Sequence, residues 1–260
     1  MNWFNRKTTY GLALSGGGAR GIIHLGVLQA MNDMEFYPTA LSGTSMGAIV
    51  AAFYAMGMEP REVLKIIKEK ADRKHIFSIR IRHRATTGLF KITLLEENLK
   101  KYCPIDDFSA FKIPLFISVT NLTTGKNEIH SQGKFIDYVI ASATIPILFE
   151  TRIINGNHYV DGGLSKNMAA QVLQNHVDKI IGIHSNHIVE NKNITTMKDV
   201  AERCFQLSIF NTVKDELNYC DYLIDPPKAR NYSTFDFDKA DEIFEIGYQE
   251  GLEFIKSLSE

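Results

Sequence analysis

Two strand, glycine-turn, helix units follow one another before Glu59, and this repeat constrains the fold more than any other feature of the 260-residue chain. In the first, apolar Tyr10 to Ser15 reads as a short buried strand. Ser15-Gly16-Gly17-Gly18-Ala19-Arg20-Gly21 reads as a turn, and Gly21 to Met34 as a helix. In the second, Thr39-Ala40-Leu41 runs into Gly43-Thr44-Ser45-Met46-Gly47 and then into the helix-like run Ala48 to Met58. Strands and helices alternating through short turns predict an α/β sheet of parallel strands whose carboxyl ends gather the functional loops.

Beyond these units the pattern predicts an amphipathic helix over Pro60 to Asp72, with Pro60 suited to its first turn. A strand over Lys112 to Leu122 turns at Thr124-Gly125-Lys126-Asn127 into a shorter one around Glu128 to Ser131. Phe135 to Ser142 reads as a helix interrupted by Pro146, and Ile153 to Val160 as a hairpin about Asn155-Gly156-Asn157. Lys179 to His184 and Tyr222 to Ile224 are further strands; Asp199 to Asn218 and Phe237 to Leu258 are helices. We expect one domain over 9–258 preceded by a short extension over 1–8. A chain of this length can bury roughly three quarters of its unfolded surface.

Composition narrows the function classes. With 45% hydrophobic and 23% charged residues the chain has ordinary globular proportions, and a net charge of -1 supplies no global attraction to nucleic acid. Met1 to Gly11 has no run of signal-peptide length, and Ala48 to Met58 falls short of the roughly 20 residues that span a bilayer. The expectation is a cytoplasmic protein, membrane-peripheral if the basic segment described below meets lipid. Cys103, Cys204 and Cys220 are widely spaced, which predicts free thiols, and no ligand cluster calls for a metal or other cofactor.

Ser45 lies where a nucleophile elbow needs its residue, on a sharp strand-to-helix turn flanked by the small residues Gly43 and Gly47. The upstream glycine turn could supply backbone donors for an oxyanion. A serine nucleophile needs a base, and Asp161 in Val160-Asp161-Gly162-Gly163 is the candidate, although Asp before Gly equally fits a turn or helix cap.

Read together, Gly16 to Gly21 (GGGARG), Gly43 to Gly47 (GTSMG) and Asp161 to Gly163 (DGG) resemble the patatin-like phospholipase family in type, order and spacing. Ala141 to Pro146 is similar to that family's ASxxxP segment, and Gly247-Tyr248 to its C-terminal helix, so the resemblance spans about Thr9 to Gly251. It implies a three-layer α/β/α sandwich with a mainly parallel sheet, and a Ser-Asp dyad that hydrolyses acyl esters of lipids through an acyl-enzyme. Carried over, Ser45 is the nucleophile and Asp161 the base, with the N–H groups of Gly16, Gly17 and Gly18 as the oxyanion hole. Gly43, Gly47, Gly162 and Gly163 support the turns. Arg20 steadies the glycine loop or meets a substrate phosphate, against the plainer reading of an ion pair near a helix start. Two departures bear on substrate preference: Asn121 stands where the family often has Asp, and Asn167-Met168-Ala169 replaces Asn-x-Pro.

Rival readings remain. Gly16, Gly18 and Gly21 satisfy a dinucleotide-binding GxGxxG, but no acidic residue closes the second strand. A Ser-Asp-His triad would take His176, His184 or His187 as its third member, against an elbow that comes early for that fold. A catalytically silent lipid-binding protein on the same fold is the third alternative. His24, near the glycine turn, reads as a packing residue. Finally, Lys65 to Lys91 carries nine Lys or Arg residues against Glu69 and Asp72, with apolar and basic residues interleaved from Ile76 to Arg84. That segment suits either peripheral contact with an anionic membrane, as a flap beside the site, or a solvated basic face. The expected partners are a lipid ester substrate and no nucleic acid, with a homodimer left open.

Overall fold

The computed structural model describes residues 7–70, 92–186, 190 and 194–258. The first unit is Tyr10–Leu14 (β1), one 3-10 turn at Gly18–Ile22 and Ile23–Asp33 (α1); the second is Ala40–Thr44 (β2) and Met46–Ala55 (α2). Pro60–Lys70 (α3), Thr93–Tyr102 (α4), Leu115–Asn121 (β3), Lys126–His130 (β4) and Ile136–Ser142 (α5) follow. The hairpin is Arg152–Ile154 (β5) with Asn157–Asp161 (β6), and Lys179–Ile183 (β7) and Tyr222–Ile224 (β8) complete one eight-stranded sheet. Hydrogen-bonded neighbours run β5-β6-β3-β2-β1-β7-β8, with β4 also paired to β3.

The sheet is parallel from β3 through β2, β1 and β7 to β8, as the alternating units require. It becomes antiparallel where the chain returns by tight turns, at β3 with β4, β3 with β6 and β5 with β6. Alternation along the buried strands divides the interior between two faces. Leu12, Leu14, Leu41, Ile117 and Ile181 belong to the larger core, with α1, α2, α5 and the C-terminal helix; Ala13, Ala40, Phe116 and Ile180 face a smaller core with Met168, Leu173 and Val213. The mainly parallel sheet with helices on both sides is the expected architecture.

One helix expectation needs amendment. The segment expected as one helix over Asp199 to Asn218 divides into Met197–Asn211 (α6) and Lys214–Leu217 (α7). Between them the Thr212 hydroxyl lies 2.8 Å from the Ile209 carbonyl and 3.1 Å from the Gly163 carbonyl, so a side chain competes for backbone partners where the helix breaks. Of the basic segment, Lys65 to Lys70 lie in α3, where Lys68 is held by Asp241 at 2.5 Å; Ala71 to Lys91, including Arg80, Arg82 and Arg84, lie outside the described residues. Among the described residues no helix is long and apolar enough to cross a membrane.

The C-terminal helix, Ala240–Ser257 (α8), packs on α1 with backbones nearly touching. A methyl group at Gly26 would run into the Phe244 carbonyl, and one at Gly247 into the Ile23 carbonyl. Neither obstacle is a side chain that can swing away. Gly26→Ala should therefore lower unfolding stability by about 1–3 kcal/mol in urea titrations, despite alanine's better helix propensity. An unchanged or raised midpoint would show that the two helices separate without cost.

Candidate active site

Strand pairing explains why two residues 116 positions apart meet. Ile117 of β3 pairs with Gly43 of β2 and with His130 of β4, so β2 and β4 lie on opposite edges. Val119 pairs with Glu128 of β4 and Asp161 of β6, which puts β6 on the same edge as β2. The two strands run toward each other along β3 and end at neighbouring positions, Thr44 beside Ser118 and Asp161 beside Val119. There the Ser45 hydroxyl donates to Asp161 Oδ2 at 2.7 Å.

Ser45 occupies φ 55, ψ -123, a left-handed conformation that a residue with a side chain adopts at a cost. The surroundings enforce it. A side chain at Gly43 would meet the backbone of Ala48 at 2.6 Å, and one at Gly47 would press on the Leu14 carbonyl, so only glycine lets β2, α2 and β1 approach this closely. The Ser45 N–H donates to the Ser142 hydroxyl at 2.8 Å, and Ser142 donates to the Ser118 carbonyl at 2.7 Å, tying the elbow to β3 through α5.

Asp161 is 1% exposed. Its Oδ1 accepts from the Gly163 N–H at 2.8 Å, which holds the carboxylate with Oδ2 toward Ser45. Burial raises its pKa from 3.8 to about 7, against the opposing pull of the bonds from Ser45 and Gly163. Gly162 lies so close to the Ser118 carbonyl that a side chain there would collide with it.

The glycine turn departs from the expectation in one respect. The Gly16 N–H is committed to the Asn167 carbonyl at 3.1 Å, while those of Gly17 and Gly18 carry no bond to a described residue. Of the three expected donors, Gly16 is thus occupied in tying the turn to the loop after Asp161. Arg20 is buried and donates to Asn186 Oδ1 at 2.9 Å. His24, fully buried, has Nε2 2.7 Å from the Ser15 carbonyl, and burial lowers its pKa to about 4, leaving it neutral with Nε2–H the donor. Ser142 stood out only as part of the ASxxxP-like segment, with no role attached, and Ser185 and Asn186 went unnoticed in the sequence; ordinary Ser and Asn residues bonded to distant backbone leave no local pattern.

Among the described residues, His176 and His184 are engaged with other partners. His176 packs on Phe116 with ring centres 4.6 Å apart, His184 Nδ1 lies 3.1 Å from Asp225, and His187 lies outside the described residues. Asp161 touches Ser45 with no imidazole between them. A cleft of about 180 Å³ opens at Ser45, walled by Met46, Ile49, Phe53, Ile145, Phe149 and Phe237. A chain of methylenes matches such walls; a dinucleotide does not.

Because burial raises the native pKa of Asp161, the folded state binds this proton more tightly than the unfolded chain. Its contribution to stability is full below about pH 4 and is lost as pH rises through about 7. Asp161→Asn, which cannot ionise, should therefore gain stability relative to the unmodified protein as pH climbs from 4 to 8 in denaturant titrations. A constant difference across that range would contradict the assigned shift. At the elbow, Ser45→Gly should be more stable than Ser45→Ala by roughly 0.5–1 kcal/mol at fixed pH, since only glycine relieves the left-handed backbone. Equal midpoints would mean that the turn stores no strain.

Comparison with known proteins bears on the family and the fold. Residues 12–173 match the family model described as patatin-like phospholipase. Lysophospholipase NTE1 of Kluyveromyces lactis is 27% identical over 96% of this chain and 19% of its own length; that of Saccharomyces cerevisiae is 25% identical over 95% of this chain and 16% of its own. The chain thus spans less than a fifth of the length of these relatives. Among solved structures, VipD from Legionella pneumophila superposes with a TM-score of 0.56 at 16% identity, covering 97% of this chain and 67% of that one, a likeness of fold. With the family model matching well over half of its residues, the chain belongs to the patatin-like phospholipase family.

Proposed function

We propose that the protein is a serine acyl hydrolase that cleaves fatty-acyl esters of lysophospholipids and phospholipids by a Ser45–Asp161 dyad. The observation that carries this reading is the 2.7 Å bond from the Ser45 hydroxyl to Asp161, with Ser45 lining an apolar cleft. Support also comes from the lysophospholipase relatives and from the mainly apolar lining of the cleft, which suits an acyl chain.

In this reading Ser45 Oγ attacks the ester carbonyl carbon as its proton passes to Asp161 Oδ2, and the carbonyl π electrons move onto oxygen. A carboxylate with a pKa of about 7 is a competent base near neutrality, where an ordinary aspartate is too weak. The proton neutralises Asp161, so no third residue is needed to stabilise a charged base, unlike in an imidazole mechanism. Negative charge collects on the substrate oxygen, and Gly17 and Gly18, whose N–H groups have no partner among the described residues, can donate to it beside the amino end of the 3-10 turn that leads into α1. Collapse expels the glycerol-side alcohol, which takes the proton from Asp161. Water then gives its proton to Asp161 and attacks the acyl-Ser45 ester, and collapse releases the fatty acid and returns the proton to Ser45.

The test is fatty-acid release from lysophospholipid, phospholipid and neutral ester panels. Ser45→Ala should reduce release by at least about a thousandfold and Asp161→Asn comparably, both with intact melting transitions. Undiminished release by folded Ser45→Ala would overturn the assignment.

A further inference from the structure

Successive peptide planes of the glycine turn are held unequally. In the Ser15–Gly16 peptide both ends are taken: the carbonyl accepts from His24 Nε2 at 2.7 Å and the N–H donates to the Asn167 carbonyl at 3.1 Å. In the Gly16–Gly17 peptide only the carbonyl end is taken, and heavily. The Gly16 oxygen accepts a short bond from Asn186 Nδ2, bonds at 3.1 and 3.2 Å from the Ser185 and Ser15 hydroxyls, and a long one at 3.4 Å from Asn167 Nδ2. The other end, the Gly17 N–H, has no partner among the described residues.

A peptide is planar and trans, so its C=O and N–H point in opposite directions. Fixing the carbonyl on the Ser185–Asn186 side forces the Gly17 N–H to the opposite side. The other flank of the turn is where Ser45 lies: a side-chain carbon on Gly16 would sit 2.9 Å from Ser45 Cβ. Charge is transmitted along the same line. The Arg20 guanidinium donates to Asn186 Oδ1 at 2.9 Å, orienting that amide so that its NH2 faces Gly16. All four groups are buried, where hydrogen bonds in series polarise one another.

We propose that Asn186, oriented by Arg20 and assisted by Ser185, is a positioning residue for the reaction: it sets the Gly16–Gly17 peptide and polarises it, making the Gly17 N–H the principal donor to the oxyanion. This rests on the hydrolase reading above. It assigns a catalytic consequence to residues beyond β7 that contact no reacting atom.

The test uses Asn186→Asp, which keeps the size of the side chain and an oxygen for Arg20 but replaces the amide donor with an acceptor facing Gly16, and Ser185→Ala, which deletes one hydroxyl. On a soluble short-chain ester Asn186→Asp should lose about tenfold to a hundredfold in kcat with KM within twofold, and Ser185→Ala a smaller part of that. Affinity for a trifluoromethyl ketone, whose adduct with Ser45 carries an oxyanion, should fall by the same factor as kcat, while affinity for free fatty acid stays constant. Ketone affinity unmoved as kcat falls, or ketone and fatty-acid affinity falling together, would overturn the proposal. If Asn186→Asp does not fold, Ser185→Ala carries the test on the same readouts. Where the unaltered protein is labelled at Ser45 by a fluorophosphonate but Asn186→Asp matches it in kcat, the clamp is wrong and the hydrolase reading stands; where the unaltered protein is neither labelled nor active, the hydrolase reading itself fails.

Discussion

A single buried hydrogen bond, Ser45 to Asp161, is what the rest of the structure has to accommodate. It opposes stability twice. The serine sits in a left-handed conformation, and the carboxylate lies at 1% exposure with its ionised form disfavoured. Neither would persist in an isolated turn. Both persist here because β2 and β6 end head to head on one edge of β3, so the sheet ladder itself fixes the separation of the two side chains.

The burial that costs stability at neutral pH is the same feature that the proposed base requires. An exposed aspartate would fold without penalty and would be mostly indifferent to a serine proton at neutral pH. Enclosing it between β3 and the loop that follows β6 raises its proton affinity, and the Gly163 N–H keeps it oriented. Glycines at 43, 47 and 162 permit this enclosure by letting backbones pass where a side chain would collide. The two cores on either side of the sheet, and the close α1–α8 packing through Gly26 and Gly247, supply the rigidity that holds these strained parts in place.

Much of this was legible from residue order. Alternating apolar strands and glycine turns announced the parallel half of the sheet, and the hairpin about Asn155-Gly156 announced β5 and β6. The resemblance of the three spaced motifs to the patatin-like family is what nominated Ser45 and Asp161 as partners. What stayed hidden depends on distant partners. That β6 shares an edge with β2 follows from the register of both on β3, which no window of sequence encodes. Gly16 looked like a donor to substrate because its carbonyl partner, Asn167, comes 151 residues later. The break at Thr212 turns on a hydroxyl reaching both Ile209 and Gly163, invisible to helical periodicity.

The most direct test of the pairing is the pH dependence of phosphonylation at Ser45 by a fluorophosphonate, in the unaltered protein and in Asp161→Asn. The account predicts a rate that rises through one ionisation near pH 7 in the former, following conversion of Asp161 to its basic form, and a slow, flat profile in the latter. A variant lacking the carboxylate that kept the same rising profile would place the base elsewhere and contradict the account.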